Sequence, residues 1–367
     1  MGGTSVQLLL GAGHPAPPVL EEVQRDLRWL PGVGVSALEI SHRSPWFTDV
    51  IDEAEANLQA LLGIPATHAV VFCQGGASQQ FSMVPMNLLR GRREAADYVV
   101  TGAWGAKAIA EAGREGATRE AWSGRDNGYV RVPTSDELAA SLDPTAAYAH
   151  VTTNETIQGV AFHADPRAPD GVPLVADMSS DFLSRPVDVD AYGLIYAGAQ
   201  KNAGPAGVAV AVVRHDLLGR IPAGLPTMLD YRTFVEHGSR YNTPPVFSIY
   251  VLMLVTRWLR NDVGGLANQL ERNRRKADLL YGAVDASDGF YRGHAEASSR
   301  SLMNVTFRLP TEELEGAFVA GAAAARMVEL KGHRSVGGIR ASIYNAMPVE
   351  GVEALVVFMR DFAATHR

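Results

Sequence analysis

Cysteine is almost missing from this chain, with one, Cys73, in 367 residues. That excludes an internal disulfide and a cysteine-rich metal site, and it predicts a reducing compartment. Long apolar runs are missing too: none approaches the roughly 20 residues that span a bilayer. The short apolar run near the start has no Lys or Arg ahead of it, unlike a secretory signal. The expectation is a cytoplasmic protein without membrane association. Positive charge is the scarcer sign, with 33 Lys and Arg against 40 Asp and Glu, net −7, and no basic block. A nucleic-acid partner or an anionic membrane surface is therefore not expected. Internal repeats and low-complexity tracts are also lacking.

What remains is an ordinary globular composition, 47% hydrophobic and 20% charged, with mean hydropathy near zero. The length exceeds what one core supports, so two lobes are expected. β-branched runs alternate with helical patterns, which predicts an α/β fold with a mostly parallel sheet. Strands are expected at 67–73, 97–100, 147–153, 172–177, 193–197 and 207–213. Ser44-Pro45 opens a helix, as a capping residue followed by proline at the first turn. After Thr243-Pro244-Pro245 the pattern changes to two long helices over 246–286 and a half-exposed strand at 302–309. A final helix from Pro348 places Val352, Leu355, Val356, Met359 and Phe362 on one face. The division predicted is a segment 1–18 folding back on the second lobe, a large α/β domain 19–245, and a small α+β domain 246–367.

Gly11-x-Gly13-x-x-Ala16 after Leu8-Leu9-Leu10 imitates a dinucleotide fingerprint, but Pro15, Pro17 and Pro18 oppose the helix it needs. A stronger signal is GLIYAGAQKNAGPAG (193–207), where an apolar strand ends in small residues and presents Gln200 and Lys201. Such a lysine can lie close to a planar ligand, and a lowered pKa would make it a nucleophile. Asp177 ends the strand PLVAD, where a buried carboxylate needs a partner such as a protonated ring nitrogen. Gln74-Gly75-Gly76-Ala77-Ser78 joins a strand to a helix, so amides and the Ser78 hydroxyl can converge on a phosphate. Trp104 suits the face of a ring, and Thr156 offers a hydroxyl at a strand end. His42, Arg43, His333, Arg334 and Arg340 form a set of cations suited to a doubly anionic substrate. Each residue alone has an ordinary alternative: a surface lysine, a turn aspartate, a core tryptophan, a surface ion pair.

Together these strings resemble the phosphoserine aminotransferase family, class V aminotransferases of the fold-type-I pyridoxal-phosphate enzymes. The likeness runs from about residue 19 to the end, through SHRS (41–44), QGGASQQFSMVPMNLL (74–89), TNETIQG (153–159), YAGAQKNAGPAG (196–207), YNTPP (241–245) and LKGHRSVGGIRASIYNAMP (330–348). The resemblance implies a large lobe with a seven-stranded, mostly parallel sheet and a smaller C-terminal lobe. It implies pyridoxal 5'-phosphate carried on Lys201, with Asp177 at the ring nitrogen, Trp104 stacked, and Thr156, Ala77, Ser78 and Gln200 as further contacts. Asn242 and Thr243 would reach the cofactor phosphate of a neighbouring subunit, so a homodimer with shared sites follows. His42, Arg43, His333, Arg334 and Arg340 would bind the substrate's anionic groups, and no metal is implied. The implied reaction is transamination between L-glutamate and 3-phosphohydroxypyruvate, giving O-phospho-L-serine and 2-oxoglutarate. Amination of a related phosphorylated four-carbon acid in pyridoxine synthesis is a second implied role.

The family usually has a Phe-Asn-Phe stretch near the start, where this chain has Leu8-Leu9-Leu10-Gly11; Leu10 would crowd the substrate. Alternatives are a class V transaminase for an oxo acid such as glyoxylate, or a non-catalytic cofactor binder. A cysteine desulfurase fits poorly, because Cys73 lies in an apolar strand.

Overall fold

The computed structural model describes residues 15–334 and 336–366 and the backbone of Leu8–Leu9. Its centre is a seven-stranded sheet in the order His68–Gln74, Val208–Arg214, Leu194–Gly198, Leu174–Asp177, Ala149–Thr152, Ala96–Val100, Thr118–Ser123. Only Val208–Arg214 runs antiparallel to both its neighbours, and the other pairings are parallel. Six of these strands match the expected runs to within two or three residues. Their apolar character is continuous because both faces are covered. Along Val208–Arg214, Val208, Val210 and Val212 enter one core cluster, while Ala209, Ala211 and Val213 enter another. Each large aliphatic or aromatic side chain buried this way contributes about 1.5–3 kcal/mol.

Helices Pro45–Leu62 and Val246–Asn261 pack on the first face, helices Ala77–Leu88 and Ala103–Ala112 on the second. Ser44 caps the first of these, its hydroxyl accepting from Phe47 N at 3.2 Å, and Gly63 ends it in the left-handed region at φ 62°. The edge strand Thr118–Ser123 was not expected; its exposed polar residues carry no apolar signal. A helix, Pro17–Arg28, opens where prolines were expected to oppose one. They stand at its first positions, where the missing N–H costs nothing.

The remaining residues build a second core around an antiparallel sheet, Arg292–Gly293, Asn304–Arg308 and Ile339–Ser342, with helices Leu266–Asp285, Glu312–Ala324 and Val349–His366. Val352, Leu355, Val356, Met359 and Phe362 are all buried, as the spacing predicts. Phe318 sits edge-on to Tyr291, Phe307, Phe358 and Phe362. The backbone of Leu8–Leu9 pairs in parallel with Met327–Val328. Asn304–Arg308 is not half-exposed as expected, because Asn304 through Phe307 are buried. Its polar face is covered by the 154–160 segment: Asn154 Nδ2 donates to Asn304 Oδ1 at 2.8 Å, and Thr306 Oγ1 to Gln158 O at 2.8 Å.

A buried polar seam runs between the two cores. Asn345 N donates to Asn202 Oδ1 at 2.9 Å, and Asn273 Nδ2 reaches Asn345 Oδ1 at 2.9 Å. Beside it Lys276, 1% exposed, donates to the carbonyls of Ile343 and Tyr344 at 2.9 and 2.7 Å. Burial, reinforced by the Arg272 charge, pulls its ammonium from 10.5 down to about 7. The folded state therefore binds fewer protons than the unfolded state between those values, and folding gains stability as pH rises through that window. Relative to Lys276→Met, the unaltered chain should gain stability from pH 7 to about 10 in paired thermal melts. A pH-independent difference would contradict this.

Candidate functional site

The parallel strands deliver their C-terminal ends to one edge of the sheet, where ligands bind in open α/β folds. A cavity of about 230 Å³ opens there, lined by Gly76, Ala77, Ser78, Trp104, Thr152, Asn154, Thr156, Asp177, Ser179, Ser180, Gln200 and Lys201. Seven of the expected cofactor residues, Ala77, Ser78, Trp104, Thr156, Asp177, Gln200 and Lys201, thus converge.

Lys201 follows Leu194–Gly198, and its Nζ donates to Thr156 Oγ1 at 2.8 Å. The same Nζ lies 5.6 Å from the centre of the Trp104 ring. Gln200 folds back over Gly198, where a Cβ would meet its Oε1 at 2.6 Å. Asp177 is 4% exposed and accepts from Ser179 N at 2.9 Å. Burial pushes its carboxyl above the usual range, and Ser179 and the Lys201 charge offset this only in part. Ser179 Oγ accepts from Gly198 N at 3.0 Å, tying the aspartate's turn to the lysine's.

Helix Ala77–Leu88 starts at Gly76 without a side-chain cap, and Gly75 turns the chain at φ 79°. Its first amides and Ser78 face the cavity, an arrangement suited to an anion. Glu155, completely buried, accepts from Trp104 N at 3.0 Å and Gly105 N at 2.8 Å. Burial raises its carboxyl to about 7 against the pull of those amides. Trp104 Nε1 and Thr152 Oγ1 are buried without a partner among the described residues. A flat heterocycle with one phosphate, one basic ring nitrogen and an aldehyde fits this donor set. Gly76–Ser78 could take the phosphate, Asp177 the nitrogen and Lys201 the aldehyde, with the indole of Trp104 as a wall.

The other expected residues do not line the cavity. Asn242 and Thr243 are exposed, with Gln74 Nε2 donating to Asn242 Oδ1 at 2.9 Å. Arg43 is exposed and His42 half-buried on the turn before Pro45–Leu62. Arg334 borders a separate cleft beside helix Glu312–Ala324. His333 lies near Arg340, Lys107 and Arg334; burial first, and then those charges, hold its pKa low. Arg340 Nε is buried without a partner among the described residues, leaving an N–H for an anion. Leu10 and Gly11 lie outside the described residues. Thr152, Asn154, Ser179 and Ser180 were missed as cavity residues, although each lies within four residues of Thr156 or Asp177. Among the described residues no cluster of His, Cys, Asp and Glu could hold a metal ion, and no helix is long and apolar enough to cross a membrane. Cys73 is fully buried, with its thiol pushed up to about 12, which leaves no nucleophilic thiolate.

A doubly covered, mostly parallel seven-stranded sheet with this lysine, aspartate and glycine turn at its C-terminal edge has the architecture of a fold-type-I pyridoxal-phosphate enzyme. The chain belongs to the class-V aminotransferase family, whose model matches residues 12–355. It is 51% identical over 346 residues to the phosphoserine aminotransferase of Rhodopirellula baltica, covering 94% of this chain and 92% of that one. The phosphoserine aminotransferase structure from Bacillus circulans subsp. alkalophilus superposes with a TM-score of 0.94 at 49% identity, covering 98% of each chain. The pyridoxal-phosphate-bound phosphoserine aminotransferase of Trichomonas vaginalis gives a TM-score of 0.89 at 36% identity, covering 96% of this chain and 99% of that one.

A carboxylate as buried as Asp177 costs the fold stability when only partly compensated. At pH 8, Asp177→Asn should therefore raise the stability of the cofactor-free chain by ~1 kcal/mol, read by denaturant unfolding. A loss of stability would show that Asp177 is a structural residue instead.

Proposed function

We propose that this chain is a pyridoxal-phosphate-dependent phosphoserine aminotransferase of serine biosynthesis. It moves the amino group of L-glutamate to 3-phosphohydroxypyruvate, giving O-phospho-L-serine and 2-oxoglutarate. The observation that carries this reading is the convergence of Lys201, Asp177 and the uncapped helix start at Gly76 in one cavity. The chain's 51% identity to a phosphoserine aminotransferase over nearly its whole length supports it.

Bound pyridoxal phosphate supplies an aldehyde carbon that accepts and returns an amine, and a protonated ring that draws electrons from the substrate's α-carbon. Lys201 would hold that aldehyde and, once released, its Nζ would move a proton between the substrate's α-carbon and the former aldehyde carbon. Thr156 Oγ1, at 2.8 Å, keeps Nζ on the cavity side. Asp177 would keep the ring nitrogen protonated. Ala77, Ser78 and Gln200 would hold the phosphate and ring, and Trp104 the ring face.

The substrate carries a carboxylate and a phosphate, which calls for two cationic sites. Arg340, with its unpartnered Nε, is one binder, and His42, Arg43, His333 and Arg334 supply the other contacts. In this reading the protein is a homodimer with shared sites, Asn242 and Thr243 bind the neighbour's cofactor phosphate, and their exposure and that of Arg43 in a single chain support a contact across the dimer. The protein is cytoplasmic in this reading. The proposed division remains a large domain 19–245 and a small domain 246–367, with helix Val246–Asn261 burying its face in the sheet's core.

Borohydride treatment of the cofactor-loaded protein should fix a cofactor-sized mass on Lys201, and Lys201→Ala should lower transamination by at least ~10³-fold. Coupled assays should show glutamate plus 3-phosphohydroxypyruvate far ahead of glutamate plus glyoxylate or pyruvate. Arg340→Ala should raise KM for the phosphorylated acid roughly 10–100-fold, as loss of a charge-assisted bond implies. Equal rates on glyoxylate would favour a different class-V transaminase.

A further inference from the structure

Helix Ala103–Ala112 carries Trp104 in its first turn, yet its N-terminal residue Gly102 gives it no side-chain cap. The first amides of a helix need acceptors. They find them about fifty residues away in sequence. Glu155 Oε2 accepts from Trp104 N at 3.0 Å and Oε1 from Gly105 N at 2.8 Å, while Gln158 Oε1 accepts from Ala103 N at 3.2 Å. Glu155 has no exposed surface. A carboxylate on a helix N-terminus is held by both the amides and the helix dipole. Gly102 is the counterpart of this plug: a Cβ there would meet Glu155 Cδ at 2.5 Å and Gln158 Oε1 at 2.6 Å.

The residue after Glu155 is Thr156, which holds Lys201 Nζ. One short segment thus fixes the backbone beneath the Trp104 ring and the hydroxyl beside the lysine. Two helices begin at this cavity, and the chain treats them differently. Ala77–Leu88 starts without a side-chain cap, whereas the start of Ala103–Ala112 is filled by the chain's own carboxylate.

We propose that Glu155 is a positioning residue, whose side chain clamps the first turn of the Trp104 helix and so sets the indole against the cavity. The clamp also closes that helix start to anions, leaving Gly76–Ser78 as the place for a phosphate. The part concerning cofactor rests on the function proposed above; the clamp itself does not.

The test has two arms. In the cofactor-free chain, the emission of Trp104 is isolated as the difference between each protein and its Trp104→Phe counterpart. Glu155→Gln sets an amide N–H₂ against a backbone N–H, so this emission should shift to the red while the melting temperature stays within a few degrees. In the second arm, pyridoxal phosphate affinity is read by quenching of tryptophan emission. Glu155→Gln should weaken it roughly tenfold, equivalent to ~1.4 kcal/mol. In a Trp104→Ala background the same substitution should cost less than twofold, because its effect passes through the indole. An unshifted Trp104 emission, or a tenfold loss that persists without the indole, overturns the proposal. Should Glu155→Gln fail to fold, Gln158→Ala enters the same cycle, with a smaller coupled loss expected and an uncoupled one counting against it. Cofactor binding by the unaltered chain, measured alongside, reports on the function and leaves the first arm independent.

Discussion

Asp177 is a carboxylate taken out of water at the end of a buried strand, and the surrounding structure is arranged around the cost of that placement. Ser179 N and the neighbouring Lys201 charge recover part of the lost hydration, and burial still leaves the carboxyl raised. An ionised group in that position favours a cationic partner on its open side. A protonated ring nitrogen is such a partner, and the same contact makes the ring a better sink for electrons. The group that strains the cofactor-free fold is thus the group that would give a bound ring its chemistry.

The sheet makes this placement possible. Parallel strands bring the ends of Ala149–Thr152, Leu174–Asp177 and Leu194–Gly198 side by side, so residues far apart in the chain face one cavity. Helices leave the same edge with their N-termini toward the cavity, and their amides favour negative charge there. One such start suits a phosphate and the other is filled by Glu155. The resulting charge pattern suits a positive ring between Asp177 and Lys201 and an anion at one helix start.

The lobes are joined by side-chain amides rather than by charges. Asn154 meets Asn304, and Asn202 meets Asn345, in buried surroundings. Asn202 adjoins Lys201, and Asn345 follows the strand that bears Arg340. The lysine's turn and the Arg340 strand are therefore held through one buried network.

Much of this was legible in the sequence, for reasons of local physics. Apolar runs marked six strands of the main sheet because both faces are buried; the edge strand Thr118–Ser123 has no such run and was missed. Prolines 17 and 18 were misread because their meaning depends on where a helix begins. Lys201, Asp177 and Ser78 were visible since each sits at a strand-to-turn junction that the chain writes locally. Glu155 was not, because its partners lie on a helix fifty residues away and nothing in its own neighbourhood records them. Nor did the sequence show that Arg43, Asn242 and Thr243 lie at the surface of a single chain. Periodicity and turn chemistry report how a segment is buried, and they determined the elements and the reactive groups of this protein. Which distant side chains meet, and which cations stay outside the cavity, depends on packing across the sheet, and only the tertiary structure decided it.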